Sequence, residues 1–153
     1  MRKPVKVQPL EAHLGYWLRF VSNHVSHAFS LKLAARDVTV AEWVVLRELF
    51  EQDSAVPSEL AARIGLTRGA ISKLTDRLAA KSLVARGSDG KDRRYQTLAL
   101  TPKGRALTPA LSELADRNDE EFFGHLSGAE RARLEGAMKE IVRRRGLRNL
   151  PID

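Results

Sequence analysis

The sequence predicts a mainly α-helical fold carrying one small β-hairpin, and three observations lead there. Apolar residues recur at helical spacing through most of the 153 residues. Several of those stretches open on a Ser or Thr placed to cap a helix. Only from Leu83 to Leu100 does the pattern become two short runs around an Asp89-Gly90 turn.

Leu10, Leu14, Leu18, Val21, Val25 and Ala28 form one apolar stripe, so residues 10–34 are expected as a long amphipathic helix. Tyr16, Trp17, Phe20 and Phe29 widen that stripe, which implies two packing partners, one of them a second chain. Thr39 and Glu42 make a capping box, with Val38 and Trp43 as its hydrophobic staple, and Val40, Val44 and Leu49 carry the next helix to about Glu51. Gln52-Asp53-Ser54 connects it to Pro57, whose missing N–H suits a first helical position, and Gly65 ends the helix Pro57–Ile64 in the left-handed conformation.

Thr67 caps the following helix, Leu66 and Ile71 staple it, and Ile71, Leu74 and Leu78 mark its buried side. Gly69, Ser72, Lys73 and Asp76, flanked by Arg68 and Arg77, lie opposite. Helix, Gly-containing turn and capped helix are a helix-turn-helix pattern. Leu83–Arg86 and Tyr95–Leu100 then form the two strands of a hairpin, or wing, whose tip reads Asp89-Gly90-Lys91-Asp92-Arg93-Arg94. Thr101-Pro102 opens another helix towards Phe122-Phe123; Pro109 inside it predicts a kink, or a restart capped at Thr108. Ser127 and Glu130 box the start of a last helix with Leu134, Ala137, Met138, Ile141 and Val142 on its apolar side, and Arg143-Arg144-Arg145-Gly146 closes it.

Charge is distributed unevenly. Thr67–Arg105 holds ten basic residues against three acidic ones, a net +7 equal to that of the whole chain, so the remainder is neutral. A local excess of this kind on a helix-turn-helix is the electrostatic footprint of a polyanion partner, double-stranded DNA. At Arg77, Lys81 and Arg86 the expected role is solvation or phosphate contact, not base reading.

Length and a 43% apolar content fit one domain with its own core. With no cysteine, disulfides, thiolate metal sites and thiol redox switches are excluded within the chain. Met1–Lys6 begins with charges like a signal peptide, yet His13, Arg19, Asn23 and His24 interrupt the following stretch, and no span approaches the roughly 20 apolar residues that cross a bilayer. A cytoplasmic protein with no membrane partner is expected. His24 and His27 share a helical face without a nearby carboxylate, so no metal is expected. No nucleophile motif, phosphate loop or paired carboxylates stand out, so neither an enzyme nor a cofactor is expected.

The run from Leu60 to Leu78, joined to Asp92-Arg93-Arg94 and Leu100-Thr101-Pro102-Lys103-Gly104, resembles the MarR family of winged-helix transcriptional regulators over most of the chain. The resemblance implies a homodimer joined through residues 10–34 and 102–146, with a winged helix-turn-helix at 39–101, the whole of 1–153 forming one MarR-like domain. It implies a pseudo-palindromic operator, with the Thr67 helix in the major groove, Arg94 in the minor groove and Asp92 bracing the wing. The candidate DNA-binding set is Thr67, Arg68, Gly69, Ser72, Lys73, Arg77, Lys91, Asp92, Arg93 and Arg94. Arg68, Ser72 and Lys73 offer hydrogen bonds to base edges, and an Arg on a hairpin suits a narrow minor groove. Family members bind small aromatic or phenolic anions, for which His13, Tyr16, Trp17, Trp43 and Arg47 are the candidate lining here. A repressor relieved by such a ligand is the expected function. The alternative is an interaction or ligand-sequestering protein of the same fold without specific DNA binding.

Overall fold

The structure, a computed structural model, describes residues 5–88 and 96–148. The Lys91, Asp92, Arg93 and Arg94 assignments at the hairpin tip lie outside the described residues. Among those described, six α-helices and two strands follow in the order α1 (Leu14–Ala34), α2 (Val40–Phe50), α3 (Pro57–Ile64), α4 (Arg68–Ala80), β1 (Val84–Ser88), β2 (Gln96–Leu100), α5 (Pro102–Phe123) and α6 (Gly128–Arg145). None of the helices is long and apolar enough to cross a membrane.

The expected caps form. Glu42 N–H donates to Thr39 Oγ1 at 3.1 Å while Glu42 Oε2 accepts from Thr39 N–H at 3.0 Å. Ser127 and Glu130 reproduce this reciprocal pair, and Thr67 and Thr101 accept from Ala70 and Gly104. Pro57 occupies the first turn of α3, and Gly65, at φ 72°, ends it.

One core joins these elements: Leu33 of α1, Val45, Leu46 and Leu49 of α2, Leu60 of α3, Ile71, Leu74 and Leu78 of α4, Leu98 of β2 and Leu111 of α5 are all buried. The antiparallel hairpin pairs Val84 with Leu100 through to Ser88 with Gln96. It is widened by Ala55, which exchanges two 2.8 Å backbone hydrogen bonds with Leu98. Leu83 O accepts from Thr101 N–H at 3.1 Å and sits where a Cβ on Gly104 would be, so only glycine lets α5 start this close to the hairpin.

Three expectations change, and one pairing is new. Residues 10–34 are not one helix: Leu10–Ala12 is a 3₁₀ turn, and extended backbone at His13 separates it from α1. The Trp17 indole donates to Glu11 O at 2.9 Å and folds the turn back on the helix. Within α2 the buried side is Glu42, Val45, Leu46 and Leu49, while Val44 turns outwards, because α2 packs against α5 and the hairpin as well as α1. Ala55, in the stretch between α2 and α3, pairs with the sheet. Pro109 does not restart α5, which runs unbroken; the buried Thr108 hydroxyl donates to Gly104 O at 2.8 Å and holds the turn before the proline.

Candidate nucleic-acid interface

α4 divides cleanly. Ile71, Leu74, Thr75 and Leu78 face the core, while Arg68, Gly69, Ser72, Lys73, Asp76 and Arg77 are exposed. Thr67 satisfies one donor at the helix start, and the remaining free N–H groups of the first turn point the positive end of the helix dipole outward beside Arg68. Such an end attracts phosphate.

Ion pairing sorts the basic footprint. Lys81 turns inward to Glu42, and Arg86 pairs with Asp76 and donates to Thr75 Oγ1 at 3.3 Å. Lys103 donates to Lys81 O at 3.1 Å. Arg105 reaches Phe50 O and Gln52 O, with its guanidinium 5.4 Å from the centre of the Phe50 ring. The role expected at Lys81 therefore gives way to an internal ion pair, because a cation beside a buried carboxylate is held there. Among the described residues, Arg68, Lys73 and Arg77 have no carboxylate partner, and all three lie on the exposed face of α4. Among the described residues of the footprint, the charge left for an outside partner is thus concentrated on one helix face.

Between α3, α4 and the base of the hairpin lies a cleft of about 400 Å³, where Ser58, Arg68, Ser72, Arg86 and Gln96 meet. Ser58 and Gln96 escaped the sequence reading. Ser58 follows a first-turn proline and reads as a helix opener, and Gln96, exposed, pairs with Ser88 in the hairpin.

The five candidate ligand-site residues fall into two groups within one protomer. Tyr16 and Trp17 pack edge-to-face at 5.3 Å beside His13, whose Nδ1 lies 3.2 Å from Pro9 O. Trp43 instead packs edge-on against Phe29 at 6.3 Å, with Arg47 one turn along α2 pairing with Glu51. Phe29 lies about 20 Å along α1 from Tyr16, at 1.5 Å per residue.

The geometry has counterparts. A family model described as MarR family matches residues 38–95. A proposed transcriptional regulatory protein for the hcr operon of Thauera aromatica is 30% identical over 115 residues, covering 71% of this chain and 69% of that protein. The multiple antibiotic resistance protein MarR of Escherichia coli is 26% identical over 84% of this chain and 90% of its own length. A mutant of that protein, solved in complex with operator DNA, superposes with a TM-score of 0.77 at 26% identity, over 84% of this chain and 93% of that one. CouR from Rhodococcus jostii, bound to p-coumaroyl-CoA, gives 0.79 at 26% identity, over 88% and 95%. BpsR of Bordetella bronchiseptica, whose DNA binding is regulated by 6-hydroxynicotinic acid, gives 0.80 at 25% identity, over 89% and 97%. A capped helix whose cationic face has no carboxylate partner among the described residues, a hairpin packed behind it and long flanking helices, found together with these relatives, make this chain a member of the MarR family of DNA-binding transcriptional regulators, not an enzyme.

Proposed function

We propose that the protein is a homodimeric repressor that reads a pseudo-palindromic operator and is released from it by a small aromatic carboxylate or phenol. The observation that carries this reading is the exposed face of α4, where Arg68 stands at the positive end of a capped helix, Ser72, Lys73 and Arg77 follow along the same helix, and the three cations have no carboxylate partner among the described residues. Short polar and cationic side chains there suit base edges, whereas Thr67 suits a phosphate. Residues 39–101 form the DNA-reading unit, and residues 10–34 and 102–146 join two copies. Recognition helices related by a two-fold axis then meet half-sites roughly 34–36 Å apart. The cytoplasm, where its DNA lies, is its compartment.

Dimerisation is supported by the outer faces of α1 and α6. Leu14 is 87% exposed, Trp17, Leu18, Phe20 and Val21 lie near it, and Leu134, Met138, Ile141 and Val142 of α6 are all exposed. An apolar surface on this scale calls for a partner, and a two-fold axis presents the same faces to each other. The aromatic effector is supported by the p-coumaroyl-CoA bound to CouR, by the 6-hydroxynicotinic acid that regulates BpsR, and by the two aromatic groups at Tyr16–Trp17 and Phe29–Trp43.

The deciding experiment selects a duplex from random sequence with the wild-type protein and measures anisotropy on it and on a scrambled duplex over a range of salt. Lys73→Ala is expected to lower discrimination between the two by about 1–3 kcal/mol. Arg94→Ala lowers the salt slope by about one unit. Lys139→Ala, on α6 and paired with Glu135, is the control and changes neither. Equal losses on both duplexes for Lys73→Ala mean that α4 touches only backbone, and sequence-specific regulation is then excluded in favour of an interaction or sequestering role. Benzoates and phenols titrated into the complex test the effector; if none weakens it, ligand release is abandoned.

A further inference from the structure

The C-terminal end of α4 is held far more tightly than its DNA-facing start. Lys81 is the residue that closes the helix. Its ammonium donates two hydrogen bonds to the α1–α2 corner, to Glu42 Oε2 at 2.9 Å and to Asp37 O at 2.7 Å, and Asp37 Oδ1 lies 3.7 Å away at ion-pair distance. Glu42 is only 1% exposed, and the same Oε2 accepts from the Thr39 backbone in the capping box of α2. Asp37, at φ 54°, holds a left-handed conformation that aims its carbonyl at Lys81.

The other side of the same residue is tied to α5. Lys81 O accepts from Lys103 Nζ, and Ser82 O accepts from the Thr101 hydroxyl at 2.6 Å. The end of the recognition helix is therefore fastened both to the α1–α2 corner and to the start of α5, the two routes leading to the helices that join the protomers. Burying an ion pair is a costly way to gain stability, since apolar residues of similar volume do as well. What it adds is a fixed direction.

We propose that Lys81, clamped by Glu42 and Asp37, is a positioning residue that sets the angle of α4 to the dimerisation helices and thereby the half-site spacing the dimer accepts. The inference rests on the dimeric DNA-reading function above. α4 has 13 residues and is about 20 Å long, so a tilt of about 5° at Lys81 moves its first turn by nearly 2 Å. A hydrogen bond to a base edge does not survive that displacement.

The test uses the operator selected by the wild-type protein and two variants of it, with one central base pair inserted or deleted. Lys81→Met alone leaves Glu42 buried without its cation and risks unfolding. The paired variant Glu42→Gln/Lys81→Met removes both charges, and Gln keeps the capping box. With its fold verified by circular dichroism, the paired variant is expected to lose roughly 3- to 10-fold of the preference for correct spacing, with the salt slope on scrambled DNA unchanged. An unchanged preference in the folded paired variant overturns the proposal, and so does a loss matched by a lower salt slope, which would make Lys81 a phosphate contact. A wild-type protein that selects no sequence removes the regulator reading itself. One that selects a sequence yet ignores its spacing overturns this inference alone.

Discussion

α4 and α6 are both capped amphipathic helices, and they have opposite fates. α4, capped by one Thr67 bond, buries Ile71, Leu74, Thr75 and Leu78. α6 has the better termini, a full capping box at Ser127 and a left-handed Gly146 after its last turn, yet it buries no residue. Arg131 pairs with Asp119 of α5 and anchors its first turn, while Ile141 remains 52% exposed. Caps settle where a helix begins and ends; they do not supply the apolar contact that keeps an isolated helix of this length folded in water. α4 draws that contact from its own chain, whereas for α6 the proposed dimer would supply it.

This contrast is sharpest when each apolar side is attacked. Leu78→Ala removes a fully buried side chain from the core and is expected to cost about 2–5 kcal/mol, independent of protein concentration. Met138→Glu/Ile141→Glu should leave the fold of residues 39–101 intact, split the dimer, and lower operator affinity by roughly 100-fold as two linked half-site contacts become one. Sedimentation and concentration-dependent melting separate the two outcomes. If the α6 variant remains dimeric, its outer face is not the interface and the comparison fails.

The same contrast governs what could be read in the sequence. Helix ends at Thr39, Pro57, Gly65, Thr67, Thr101 and Ser127 were legible because each depends on a side chain and a backbone group within a few residues. The α1 start was not: His13 interrupts a run whose apolar spacing continues straight through it. Nor was the partner of Ala55, since that pairing bridges residues distant in sequence. Within the candidate site, Arg68, Ser72, Lys73 and Arg77 were identifiable from their spacing against Ile71, Leu74 and Leu78. Lys81 was misjudged because helical periodicity gives the side of a cation but not the carboxylate across the fold that captures it.

Acid should affect α6 in a definite direction. Ser127 holds the Glu130 carboxyl below its ordinary range through backbone and side-chain hydrogen bonds, and Arg143 and Arg144 bring Glu140 down to about 2. A carboxylate depressed in the folded state contributes its stability fully above its unfolded value of 4.5 and loses it as pH falls through the folded one. Dimer dissociation should therefore increase between pH 4.5 and about 2, and these exposed pairs should weaken in high salt as well. Glu140→Gln should flatten that acid limb in sedimentation runs; an unchanged limb would mean that the Arg143–Glu140–Arg144 cluster plays no part in holding α6.

The smallest expected effect is also the most discriminating between the two helices. Gly69 lies in the first turn of α4, exposed, with open space where a Cβ would go. Within the protein nothing requires glycine there, and a glycine inside a helix costs stability through the freedom it loses on folding. Gly136 in α6 has the same open surroundings. Replacing either by alanine should therefore stabilise the fold, by about 0.5–1 kcal/mol. On the proposed reading only Gly69→Ala should weaken operator binding, because an added methyl group would occupy the space of a duplex approaching α4. Gains in melting temperature from both variants, with affinity lost in one alone, would locate the close approach of DNA at the first turn of α4. If Gly69→Ala binds the operator as well as the wild type, the helix start stands back from the duplex and Arg68, Ser72 and Lys73 must reach it across a wider gap.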